Sequence, residues 1–195
     1  MKNTLTKKRI SVLNLVICAL FAALTAVGAF IQIPLPHLDY FTLQFLFVIL
    51  SGIFLGPKLG AASIAVYVLL GLAGVPIFAA GGGIAYVLRP SFGYLAAFIL
   101  ASFVTGFICR KLNADKFWKY LLAALGGFVV TYAIGLTYEY FMATLYLGEK
   151  TTLWLIFLDC FPIDMPGDLA LCCLAAFIGK RTEKIRQRYI NNDNR

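Results

Sequence analysis

ISVLNLVICALFAALTAVGAFIQ, residues 10–32, runs for 23 residues without a single charge. As a helix it spans about 34 Å at a rise of about 1.5 Å per residue. The hydrocarbon core of a bilayer is about 30 Å thick, so the segment is long enough to cross with slight tilt. It is too long and too uniform for the core of a signal peptide, and no small-residue cleavage site follows it. It is expected to stay in the mature protein as a membrane-spanning helix.

The rest of the chain has the same character. Of 195 residues, 61% are hydrophobic and 13% are charged, where a soluble domain carries about 25% charge. Further apolar blocks cover residues 41–55, 59–72, 92–109, 118–147 and 153–179. Pro34 and Pro36 close the first block, Gly56-Pro57-Lys58 closes the second, and Pro162 and Pro166 interrupt the last. The expectation is an all-α membrane protein of six spanning helices. It forms a single domain over residues 1–195, with its core at about 10–182. The second and third blocks are short for spanning helices, which points to tilt, bundle packing or local thinning of the membrane.

Charge placement sets the orientation. Fifteen of the seventeen Lys and Arg residues fall in segments that share one side if six helices cross: those around Lys7, Lys58, Lys116 and Lys184. Only Arg89 and Lys150 fall on the other side. Lys and Arg accumulate on the cytoplasmic side, so both termini are expected inside. The net charge of +8 therefore reports topology, and no basic surface with interleaved aromatics suggests nucleic acid.

Several chemistries are excluded. The five cysteines form no Cys-x-x-Cys pair and His37 is the only histidine, so neither a metal site nor a cofactor is expected. No phosphate-binding loop and no catalytic triad can be read. An intramembrane lipid-modifying enzyme, with Asp164, Asp168 and Glu139 as acid–base groups, stays a remote alternative, because it lacks a nucleophile, a metal site and a paired general base. A channel would need a polar stripe through several helices, and polar groups gather only toward the outer half.

An ionisable residue at membrane depth is costly and is a functional candidate by default. Glu139, Asp159, Asp164 and Asp168 qualify. Asp168 lies twelve residues before Lys180, so roughly 18 Å above the inner surface. Its Pro166-Gly167-Asp168 setting also admits a plain capping role. Glu139 is placed near the outer interface, where simple solvation is the competing reading, and Asp159 is placed higher and solvated. Between blocks three and four, Gly81, Gly82 and Gly83 sit in an apolar, Gly- and Pro-rich loop with Arg89. Such a backbone is tolerated near a membrane where it is buried or lines a cavity. Its glycine amides offer close approach to a ligand. On helix one, Ala19 with Ala23 and Ala22 with Ala26 form small-residue faces, for docking a partner or for internal packing.

Two stretches resemble the BioY family of biotin-specific substrate-capture (S) components of energy-coupling factor (ECF) transporters. GLAGVPIFAAGGG (71–83) followed by LRPSFGY (88–94) looks like the family's Gly-Leu-x-Gly-Val-Pro-Val-Phe, glycine-rich run and Pro-Thr-Gly-Gly-Tyr. PGD (166–168) matches its Pro-Gly-Asp. Leu171 stands where the family often has Lys, and Arg89 where it often has Gly. The resemblance implies biotin capture in the cell membrane for an ATP-driven importer, or the same role for another vitamin or a biotin precursor. It also implies that the helix-one alanines dock a membrane coupling subunit, itself bound to two cytosolic ATPases. Asp168 would then accept ureido N–H bonds, with Asp164 and Glu139 as further carboxylates. Phe78, Tyr86 and Tyr94 would flank the rings, and Arg89 would hold the ligand carboxylate.

Overall fold

The computed structural model describes residues 11–34, 40–148, 152–160 and 164–187. His37, Lys150, Pro162, the basic residues before Ser11 and those after Gln187 lie outside the described residues, as does the side chain of Asp159.

Helix α1 runs Val12–Phe30, with Ser11 capping its first turn through a 3.3 Å bond from Leu13 N–H to Oγ. A short ribbon follows. Strand β1 (Gln32–Pro34) pairs antiparallel with β2 (Tyr40–Thr42), Ile33 opposite Phe41. This ribbon corrects the reading of residues 41–43 as helix. Pro34 cannot continue a helix, and pairing satisfies backbone groups that would otherwise be orphaned.

Helix α2 covers Gln44–Leu72 but is broken at Gly56, where φ is 77° and ψ is −174°. That conformation is open almost only to glycine, and Pro57 restarts the helix where its missing N–H costs nothing. The chain folds back on itself here. Tyr67 Oη lies 2.9 Å from Gln44 Oε1, although 23 residues of straight helix would separate them by about 34 Å. The expected second and third blocks are thus the two arms of a hairpin. Arg110 closes its tip, donating to Leu55 O at 3.2 Å.

Residues 73–91 form no long helix, only a 3-10 turn at Ile84–Leu88. Helix α3 (Phe92–Lys111) and α4 (Phe117–Phe141) follow, and α4 continues into a π-helical turn, Met142–Tyr146. The last block is two helices, α5 (Leu153–Cys160) and α6 (Asp164–Arg181). Pro166 does not interrupt α6. It is the third residue, in the first turn, where the helix has no bond to lose.

Small residues set the packing. A Cβ on Gly52 would stand 2.4 Å from Ser102 O, and one on Gly106 would stand 2.5 Å from Gly56 C. The α2 hairpin and α3 therefore touch backbone to backbone, as membrane helices do at small residues. Ser51 and Ser102 bond across that seam at 2.8 Å. Leu20, Val27, Leu69, Leu122, Val129 and Phe177 remain exposed on the outer faces of the bundle, as expected of surface facing lipid. Among the described residues, four segments are long and apolar enough to cross a membrane: Val12–Phe30, Gln44–Leu72, Phe92–Lys111 and Phe117–Tyr146. The chain is an all-α membrane protein apart from the ribbon.

Candidate functional site

One cavity of about 350 Å³ opens among the helices. It lies where α2, α3 and α6 begin and α4 ends, opposite the bundle end that carries Arg110, Lys116 and Lys180. Asp164, Asp168 and Glu139 all line it. Asp164 and Asp168 share a face of α6 because they are four residues apart. Glu139 comes from α4. Carboxylates from two helices thus meet in one space.

Tyrosines hold two of them. Tyr132 donates to Asp168 Oδ2 at 3.0 Å, and Tyr94 donates to Glu139 Oε2 at 2.9 Å. The two rings meet edge to face, 5.9 Å between centroids. Glycine lets them approach: a Cβ on Gly135 would stand 2.4 Å from the Tyr94 ring. Phe128 supports Tyr132 at 4.5 Å. Asp168 is the fifth residue of α6 and its bond is to Tyr132. The capping alternative is therefore not what its geometry shows. Glu139 is likewise a lining residue bonded to Tyr94 rather than a simply solvated group.

The loop contributes differently than expected. Tyr86 and Tyr94 line the cavity, as do Ala79, Pro90 and Ser91. Phe78 does not. It is 1% exposed and packs between Tyr67 (5.5 Å) and Tyr86 (4.7 Å), behind the lining. Gly81, Gly82 and Gly83 are also absent from the lining. Gly81 N–H donates to Phe78 O at 3.1 Å and Gly83 N–H to Gly71 O at 2.7 Å, so these amides brace the loop. A Cβ on Gly82 would stand 2.3 Å from Val75 O. The glycines permit a tight fold that seats Phe78 over Gly71. Arg89 is exposed beside the cavity, its guanidinium 5.3 Å from the centre of the Tyr86 ring. Leu171 is buried in the bundle core.

The helix-one alanines divide. Ala19 and Ala23 are exposed, whereas Ala22 is buried in the core and Ala26 packs against it. Docking through Ala22 and Ala26 is corrected to internal packing, because α1 turns that face toward α2. Tyr132 and Gln44 also line the cavity, beyond the candidates that the sequence offers. Tyr132 lies seven residues before Glu139, on the same helical face, a spacing that would have found it.

Residues 1–188 match the BioY family. The chain belongs to the BioY family. A "Probable biotin transporter BioY" of Lysinibacillus sphaericus is 42% identical over 178 residues, covering 91% of this chain and 90% of that one. The "Biotin transporter BioY" of Rhizobium etli is 32% identical over 177 residues, covering 86% and 91%. Among solved structures, the S-component for biotin from an ECF-type ABC transporter superposes with a TM-score of 0.76 at 26% identity, covering 94% of this chain and 95% of that one. This BioY chain therefore has the S-component fold, and its family is one of transporters rather than enzymes.

Proposed function

We propose that this BioY chain captures biotin as the substrate-specific subunit of an ATP-driven ECF importer in a bacterial cell membrane. The observation that carries the reading is the cavity. Its volume of about 350 Å³ falls within the usual range for small-ligand sites. Its polar lining includes three carboxylates held from two helices, with aromatic rings between them. A urea ring offers N–H donors, and Asp168 and Asp164, both in the lining, are the candidate acceptors for charge-assisted bonds. Tyr86 and Tyr94 are apolar neighbours for the fused rings. Arg89, beside the lining residues Pro90 and Ser91, is the candidate partner for the valerate carboxylate.

In this reading the chain crosses the membrane six times with both ends inside: α1, the two arms of α2, α3, α4 and α6. The one-sided distribution of Lys and Arg supports it. The cavity then opens toward the outer face, where the vitamin arrives. Ala19 and Ala23 on the exposed side of α1 form the surface for a membrane coupling subunit that carries two cytosolic ATPases.

The experiment is to purify the protein without added ligand, identify any small molecule that copurifies, and titrate it with biotin and desthiobiotin. Tight biotin binding at one site per chain supports the reading. A preference for desthiobiotin would make a precursor the ligand, and no binding of either would overturn biotin capture.

A further inference from the structure

Gln44 opens helix α2. Its side chain is 3% exposed and lines the cavity. A primary amide has two N–H donors and one carbonyl acceptor. The acceptor is engaged, because Tyr67 donates to Gln44 Oε1 at 2.9 Å. Ile77 O, at the root of the glycine-rich loop, lies farther from the same hydroxyl, at 3.1 Å. Among the described residues, nothing accepts a bond from Gln44 Nε2. Nor is that nitrogen sealed away from solvent-sized space, so it faces the cavity.

Tyr67 has little freedom. It is fully buried and stands edge-on to Phe78. Its one hydrogen serves the nearer acceptor, Gln44 Oε1 rather than Ile77 O, and that pairing turns the N–H end of the amide inward. The result is two donors with no partner among the described residues, in a space lined by Asp164, Asp168 and Glu139. Unpaired buried donors are costly, and here the missing acceptor is one a ligand brings. The start of α2 also adjoins the carboxylates: a Cβ on Gly167 would stand 2.6 Å from the Phe41 ring, three residues before Gln44. A urea ring presents one carbonyl between two N–H groups, which is the complement of an amide donor beside a carboxylate.

We propose that Gln44 is a specificity residue that donates to the ligand's urea carbonyl, and that Tyr67 is the positioning residue that sets the polarity of its amide. The inference rests on the biotin reading above. It places the carbonyl recognition on α2 and the N–H recognition on α6. A ligand with the same rings but a donor in place of the carbonyl is then disfavoured by Gln44.

The test compares biotin with 2-iminobiotin, in which the carbonyl is replaced by an imino group. Full-length wild type, Gln44→Met, Gln44→Glu and Tyr67→Phe are titrated with both, each first checked as monodisperse. Gln44→Met should weaken biotin by about 10- to 100-fold. Gln44→Glu presents acceptors only, so the ratio of biotin to iminobiotin affinity should fall by about 30-fold or more. Tyr67→Phe should lower the same ratio by a smaller factor, since the amide is then free to turn. Equal losses of both ligands, with the ratio unchanged in every folded variant, would mean a packing role and overturn this inference alone. Wild type that binds neither compound overturns the biotin reading and this inference with it. If Tyr67→Phe does not fold, the two Gln44 variants still decide the matter.

Discussion

At the scale of the residue, the cavity is a set of hydrogen-bond roles. Tyr132 occupies Asp168 Oδ2, which leaves Oδ1 for a ligand. Asp168→Asn keeps the size but brings N–H donors toward the ligand's own N–H groups. It should cost about 2–4 kcal/mol, or about 30- to 1000-fold in biotin affinity by titration. Normal binding by this variant would remove Asp168 from the site. Tyr132→Phe removes a supporting bond rather than a ligand contact and should cost less, about 1 kcal/mol. Arg89 sits outside the lining and is exposed, so Arg89→Ala should cost less than Asp168→Asn, about 1–2 kcal/mol. Biotinamide separates its role: blocking the carboxylate should weaken binding to wild type and matter little to Arg89→Ala. Equal loss in both proteins would place the carboxylate partner elsewhere. The acids could be found in the sequence because a charge at membrane depth is conspicuous. Gln44 and Tyr67 could not, since neutral polar residues carry too small a transfer cost to stand out in an apolar block.

At the scale of the element, two helices carry testable claims. On α1, Ala19→Leu with Ala23→Leu adds bulk to an exposed face, whereas Ala22→Leu adds it inside the core. The first pair should leave biotin binding near normal and reduce copurification of the coupling subunit. Ala22→Leu should instead lower the melting temperature, since overpacking typically costs about 1–3 kcal/mol. If the exposed pair abolishes binding and spares assembly, the docking assignment fails. On α2, Gly56 has φ of 77° and a Cβ there would stand 2.3 Å from the Arg110 guanidinium. Gly56→Ala should destabilise the protein by about 1–3 kcal/mol, measured as a lower melting temperature in detergent. An unchanged melting temperature would mean that the hairpin tip relaxes freely. The break itself was readable, since Gly-Pro-Lys is a turn signal. The β1–β2 ribbon was not, because residues 41–43 are as apolar as the helix that follows.

At the scale of the whole molecule, the claim is orientation. Tyr146, just past α4, and Lys184, past α6, lie toward opposite ends of the bundle and are exposed. Single cysteines at these positions, in a background without other reactive thiols, should label differently in intact cells. An impermeant maleimide should reach position 146 and not position 184. The reverse pattern would invert the topology and turn the cavity to the cytoplasm.

Apolar length and the siting of Lys and Arg by themselves determined that this chain is a membrane protein. They also set its breaks and a one-sided charge pattern, because burial in lipid is a property each segment has alone. PGD at 166–168 and the glycine-rich run pointed to the family for the same local reason. Which candidates share a space was decided only by tertiary structure. Asp168, Glu139, Tyr94 and Gln44 come from four helices, and their meeting depends on helix rotation and on glycines that let rings and backbones approach. Rotation likewise sent Ala22 inward and left Ala19 outside, and it put Phe78 behind the cavity wall. No single helix's pattern contains that information, since it is fixed by contacts between helices.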